Sequence, residues 1–291
     1  MTEGLQDMEK ALADLGREAP MAMEVLCMAA FLGDAPLPAE FGLNVEGGMH
    51  NPALLNPAAA IFAVAATMDP LFNAGLAEQD PETLTVSIAE SVREGVRKAL
   101  PEASHPQWKE RACYVLNLCL PDAQTGNWPA AEPLMPHVLC CLDHVKAGLR
   151  SASANRVLHQ TGFFLFQQER YEQAVEMLEA ALLVDVDIKG EKHPDIASDH
   201  EGLGMVNLAG GRVQDAESHY RRCLALRREI FTQDNPMLAP AYDGLAHTLL
   251  ASGDNAGAVE SWDEAARIMA AAAGETHPFV VQCHENAARY R

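Results

Sequence analysis

The sequence predicts a mainly α-helical protein: a solenoid of stacked helical hairpins over residues 151–291, preceded by a helical region with one small β-hairpin. Two observations carry the array. The dipeptides His193-Pro194, Asn235-Pro236 and His277-Pro278 recur every 42 residues, the first and last inside the near-identical phrases GEKHPDIAS and GETHPFVVQ. On the same interval, small residues return at Gly162, Gly204 and Ala246, at Ala174, Ala216 and Ala258, and at Ala181, Cys223 and Ala265. A structural repeat returns the same residue types at a fixed interval while its surface drifts. The third observation is a change of period after the N-terminal helices, where two short extended runs interrupt the helical spacing.

From the N-terminus, TEGLQDMEKALADLG reads as an acidic amphipathic helix and PMAMEVLCMAAFLG as a strongly apolar one. DAPLPAEFG breaks the chain with two prolines, and NPAAAIFAVAATMDPLFNAGL resumes a helix. LAEQDPETLTVS is two extended runs joined at Asp80, Pro81 and Glu82, a hairpin signal, and IAESVREGVRKALP is helical again. Helices followed by a hairpin suggest a winged-helix-like domain over residues 1–100. HPQWKERACYVLNLCLP and NWPAAEPLMPHVLCCLDHV then supply linker or capping helices over 101–150. In the array, each unit opens with a helix through Gly162, Gly204 or Ala246, with Leu158 and Leu165, Leu203 and Val206, or Leu245 and Leu249 at helical spacing. QQER, AGGR and ASGD break each unit before its second helix, which carries Leu178, Tyr220 or Trp262. Small residues let the paired helices approach and bulky ones fill the space between hairpins. Proline fits the first turn of a helix but not its middle, so each HP or NP opens the next hairpin.

The small residue at the eighth position of the unit, Ala twelve residues later and a small residue seven after that resemble the tetratricopeptide signature. The 42-residue period and the G-E-x-H-P connector resemble the long-helix version found in kinesin light chains and many bacterial proteins. The resemblance covers residues 151–291: three full repeats and a final helix, CHENAARYR. It implies a right-handed α-solenoid whose first helices line a concave face that takes a partner peptide or helix. Where the family often reads L-N-N-L-A, this chain has DHEGLG and AYDGLA, so its groove chemistry is its own. The family's groove positions fall on His159, Phe163 and Phe166 in the first unit and on Glu201, Met205 and Leu208 in the second. They fall on Asp243, His247 and Leu250 in the third, and on Glu285 and Arg289 in the last helix. The column His159, Glu201, Asp243 and Glu285 implies a partner with a basic segment, and Phe163, Phe166 and Met205 imply apolar anchors. Phe163 and Phe166 have an alternative role, packing against LMPHVLCCLDHV as a cover for the first repeat.

Composition excludes other classes. At 291 residues and 48% apolar the chain is long and apolar enough for a folded core. Its start is unlike a signal peptide and no apolar run reaches membrane-spanning length. Seven cysteines, an odd number in mostly apolar helical contexts, suit reduced core thiols, and the expected compartment is the cytoplasm. A formal net charge of −20 opposes binding to phosphate backbones and acidic membranes, so neither nucleic acid nor membrane is an expected partner.

Residues 15–150 carry a second resemblance. From A-A-F-L-G through L-P-A-E-F, the hairpin, and the helix with Trp128, Pro136, His137 and Val138, the chain is similar to the segment that joins the nucleotide-binding engine of STAND-type signalling ATPases to their tetratricopeptide sensors. An engine binds nucleotide through G-x-x-x-x-G-K-[ST], a string this chain lacks; VEGGMHN has neither the lysine nor the spacing. The resemblance therefore implies the sensor part of a signalling or defence protein, acting with an engine in cis or in trans. The alternatives are a free-standing scaffold and a winged-helix transcriptional regulator.

Three other constellations compete with blander readings. His137, Cys140, Cys141 and His144 lie at metal-compatible spacing on one helix, but a fourth ligand is not obvious and apolar helical cysteines are usually core, so no metal or cofactor is expected. Asp199-His200 and Cys283-His284 resemble fragments of nucleophilic sites, yet adjacent helical residues point apart, and His200, Tyr242 and His284 form one packing column. The expected protein is not an enzyme. Arg93, Arg97 and Lys98 offer a basic face, which the interleaved Glu90 and Glu94 make a solvated one rather than a DNA-reading one.

Overall fold

The structure, a computed structural model, describes residues 2–38, 41, 57–121 and 128–291; VEGGMHN and the side chain of Trp128 lie outside what is described. The chain divides into two compact units, Met1–Gln160 and Thr161–Arg291. The division falls inside a helix, ten residues past the boundary at 150 expected from the repeats.

The first unit holds α1 (Thr2–Glu18), α2 (Pro20–Ala29), α3 (Pro57–Asn73), α4 (Glu90–Ala99), α5 (His105–Cys119), α6 (Trp128–Ala131), α7 (Met135–Lys146) and the start of α8 (Ala152–Gln167). The expected hairpin is present as β2 (Glu78–Gln79) and β3 (Thr85–Ser87). Asp80 shapes its turn: its carboxylate accepts the amides of Glu82 (2.8 Å) and Thr83 (3.2 Å), which holds its pKa below the usual carboxylate range. The proline pair in DAPLPAEFG does more than break the chain. Leu37–Pro38 forms β1, paired antiparallel to β3 with Leu37 opposite Val86, so the sheet has three strands. Proline is tolerated because β1 lies at the sheet edge.

The carbonyls at the end of α2 organise this unit. Arg93 donates to Gly33 O, Arg97 donates to Ala30 O at 2.6 Å, and His144 Nε2 lies 2.7 Å from Phe31 O. Cations at a helix C-terminus complement both its unpaired carbonyls and its dipole. Arg111 adds an ion pair to Glu24 at 2.6 Å. The basic face read from SVREGVRKAL is thus turned inward at Arg93 and Arg97, and Lys98 pairs with Glu94 at 2.9 Å.

The second unit contains the rest of α8, then α9 (Tyr171–Lys189), α10 (Pro194–Ala209), α11 (Val213–Ile230), α12 (Leu238–Ser252), α13 (Asn255–Ala273) and α14 (Pro278–Tyr290). Each packs on its sequence neighbours, and α10 also reaches α12, the arrangement of stacked hairpins. The repeated phrase acquires a mechanism here. The residue before Pro194 and before Pro278 is an N-cap whose side chain accepts the amide two residues on: His193 Nδ1 from Asp195 (3.2 Å) and His277 Nδ1 from Phe279 (3.3 Å). Asn235 Oδ1 does the same for Met237 at 2.9 Å, but there the chain makes an extra turn and α12 begins at Leu238 rather than at the proline. His and Asn interchange because each offers a short acceptor at a position that favours one. The glycine of GEKH and GETH ends the preceding helix at φ +83° and +89°, a conformation that side chains disfavour.

Small and bulky residues interlock as the pattern requires. A Cβ on Gly162 would lie 2.7 Å from Leu178 Cγ, and one on Gly204 2.9 Å from the Tyr220 ring. Trp262 is fully buried in the core of the later hairpins, with Tyr220, Cys223, Leu245 and Ala265.

Candidate functional site

The first helices of successive hairpins enclose an open hollow of about 520 Å³. Residues 201, 205 and 208 share one face of α10, and residues 240, 243, 244 and 247 one face of α12, because positions three, four and seven apart align on a helix. Six of the expected groove residues meet there: Phe163, Glu201, Met205, Leu208, Asp243 and His247. The floor is Tyr220, which reaches in from α11 and packs against Gly204 and Gly244; a Cβ on Gly244 would collide with that ring. Sequence reasoning placed Tyr220 in the core and missed it as floor. The signal was present in the glycines of DHEGLG and AYDGLA, where Gly204 and Gly244 make room for the ring.

Five expected residues are absent from this lining. The ring of Phe166 lies 6.1 Å from that of Tyr171 within the first hairpin, and Leu250 packs on the buried core. Glu285 and Arg289 are exposed on α14. His159 belongs to the part of α8 in the other unit.

The acidic column is largely neutralised from within. Arg227, buried at 2% exposure, forks onto Glu201 at 3.1 and 2.7 Å and donates to Met237 O at 2.6 Å. Asp243 accepts the indole N–H of Trp262 at 2.9 Å and faces His247 Nε2 at 3.5 Å. Within the hollow, Glu201 is therefore balanced by Arg227, and Asp243 is held in place by a buried donor.

Behind the hollow, α9, α10 and α11 carry two titrating pairs. Asp199 and His200 point apart, as adjacent helical residues must. His200 Nδ1 lies 3.0 Å from His219 Nδ1, and burial lowers His200 to about 4 and shifts His219 downward. Asp199 is raised to about 7, chiefly by burial and then by Asp185, against the opposing effect of Lys189, which bridges Asp185 (2.9 Å) and Asp195 (2.7 Å). The folded state therefore holds the Asp199 proton more tightly than the unfolded chain does. Its stabilisation is complete below the unfolded pKa near 3.8 and is lost as pH rises through about 7. An Asp199→Asn variant keeps a neutral side chain at all pH, so it should exceed the parent in stability at pH 8 by about 1–3 kcal/mol and lose that margin at pH 4. Urea unfolding at the two pH values measures this, and equal differences at both would refute the assignment.

The histidines and cysteines at metal-compatible spacing on α7 are taken up by protein partners. His137 is buried with Nε2 3.4 Å from Pro36 O, and burial lowers its pKa. Cys140 and His144 both turn to Phe31 O, and Cys141 meets Cys113. Among the described residues, no cluster of three or more His, Cys, Asp or Glu is placed to hold a metal ion.

Tetratricopeptide repeat models match residues 153–229 and 239–279, so the C-terminal part of the chain carries tetratricopeptide repeats. No curated protein matches the chain. Among solved structures, it is similar to a putative kinesin light chain with nearly identical TPR-like repeats from Podosopora anserina, at 22% identity, covering 64% of this chain and 86% of that one with a TM-score of 0.48. BtubC (BKLC) from P. vanneervenii is similar at 19% identity over 93% of this chain and 94% of its own, TM-score 0.44. A Signal Transduction ATPase with Numerous Domains (STAND) protein with a tetratricopeptide repeat sensor, from Pyrococcus horikoshii, is similar at 12% identity over 92% of this chain and 49% of its own, TM-score 0.37.

Proposed function

We propose that this chain is a non-enzymatic protein-interaction module whose tetratricopeptide array holds a partner peptide or helix in the hollow between α10 and α12. One observation carries the reading. Phe163, Met205, Leu208 and Pro240 present apolar surface over the edge of the buried Tyr220 ring, with Asp243 and His247 beside it. Such a hollow accepts one apolar anchor and orients it through a neighbouring cation on the ligand, the combination that concentrates binding energy in few side chains. The net charge of −20 favours a partner with a basic segment.

Peptides selected from a displayed random library against the whole chain test the proposal. They should combine a bulky apolar residue with Lys or Arg, and lose at least about tenfold in affinity, or about 1.4 kcal/mol, against Met205→Lys. Leu183 is equally exposed but outside the hollow, so Leu183→Lys should leave binding unchanged. Peptides that respond only to Leu183→Lys, or to neither change, would place the binding surface elsewhere.

A second reading keeps the same hollow but places it in a signalling assembly, as the cytoplasmic sensor of a STAND-type engine supplied in cis or trans. The hairpin β2–β3 followed by α4, in a winged-helix-like region ahead of the array, favours it. An in-frame phosphate-binding loop encoded upstream of Met1, or a separate engine that binds the chain in a nucleotide-dependent way, supports this; lack of both leaves the free-standing scaffold. The transcriptional-regulator alternative loses support, because Arg93 and Arg97 are committed to carbonyls at the end of α2.

A further inference from the structure

Cys113 on α5 and Cys141 on α7 are both fully buried, and their sulfurs are 3.1 Å apart across 28 residues of sequence. A disulfide bond is about 2.05 Å long, so closure needs the sulfurs to approach by only about 1 Å. Their surroundings are apolar: Ala112, Leu116, Val138, Leu142 and Val145 are buried on the same two helices. The other cysteines of this unit make different arrangements. Cys140 turns to Phe31 O and His144, Cys27 is buried on α2, and Cys119 lies at the end of α5.

We propose that Cys113 and Cys141 are a redox modification site, converted by a small peroxide such as hydrogen peroxide into a disulfide that joins α5 to α7. In the first step one sulfur attacks a peroxide oxygen as thiolate, the O–O bond breaks, and the departing hydroxide takes up a proton as water. The resulting sulfenic acid is then attacked by the partner sulfur, the S–O bond breaks, and a second water leaves with the partner's proton. Two thiols and one peroxide thus give one disulfide and two waters; each sulfur loses one electron and the peroxide gains two. The hydrogen bond to Cys113 and burial push the Cys141 thiol well above its usual range, so little of it is thiolate at neutral pH. Scarce thiolate and full burial make the reaction slow at neutral pH and faster as pH rises, and confine it to oxidants small enough to enter a packed interior.

Peptide mapping of the full chain tests this. The folded protein is exposed to hydrogen peroxide, quenched, alkylated in denaturant and digested without reduction. Trypsin leaves both cysteines in one peptide, since no Lys or Arg lies between Arg111 and Lys146, whereas cleavage before Asp122 separates them. The expected product is a Cys113–Cys141 cross-linked pair, two hydrogens lighter than the thiols and released by reductant, absent from Cys113→Ser. Recovery of both residues as alkylated thiols while Cys119 or Cys140 is oxidised overturns the proposal, as does linkage of either to another cysteine. The map of the unmutated protein decides the matter even if Cys113→Ser fails to fold.

Discussion

Replacing Trp262 by alanine should be the most damaging single change in the array, lowering unfolding free energy by about 3–5 kcal/mol. The side chain is fully buried, stacks on Tyr290 with ring centroids 5.9 Å apart, and meets the His247 ring edge-on at 5.2 Å. Alanine removes those ring contacts and leaves a cavity too large for helical neighbours to close without shifting α14. It also strips Asp243 of its indole donor, so a carboxylate that lines the hollow loses its anchor. Trp262→Phe separates the two losses. It keeps most of the volume and should cost about 1–2 kcal/mol from the missing hydrogen bond alone. Chemical denaturation followed by circular dichroism gives both numbers, and a loss below about 1 kcal/mol for the alanine variant would contradict the packing described.

Arg227→Ala should cost about 2–4 kcal/mol. The guanidinium ties α11 to Glu201 on α10 and to the carbonyl of Met237 just before α12, three elements held by one buried group. Removing one partner of a buried ion pair costs about 3–5 kcal/mol; Glu201 is 29% exposed, so solvent recovers part of that here. The double variant Glu201→Gln with Arg227→Met leaves no orphan charge and should lose less than the sum of the single losses. Additive losses in that cycle would mean the fork contributes nothing. The same substitution bears on binding. With Arg227→Met the Glu201 carboxylate is released into the hollow, so peptides carrying Lys or Arg should bind the folded variant more tightly than the parent.

The repeat period made the array legible in the sequence, because packing forces small and bulky residues to return in step. The helix starts at Pro194 and Pro278, the elbows, and the contact of Gly162 and Gly204 with Leu178 and Tyr220 followed from that pattern, whereas α12 starts two residues past Pro236. The hollow was legible in outline through six of eleven residues. Its chemistry was not, because ionic character depends on partners distant in sequence: Arg227 is 26 residues from Glu201, and Trp262 is 19 from Asp243. No local spacing rule connects them. The third strand was equally hidden, since Leu37–Pro38 is too short for an alternating pattern and acquires extended pairing only through Val86 and Thr85. Glu169 marks a further limit of the pattern. It occupies the elbow column of Gly211 and Gly253 and adopts their positive φ, at 57°, at a cost of about 1 kcal/mol that glycine avoids.

Leu178, Tyr220 and Trp262 differ in bulk although they occupy one column, and their neighbours differ too: Leu178 meets Gly162, Tyr220 meets Gly204 and Gly244, and Trp262 meets His247 and Tyr290. A hairpin stacked one step out of order would find either a void or a collision at its neighbour. Unequal keys therefore give tandem units an address, so a chain built from similar pieces assembles in one sequence of layers rather than several.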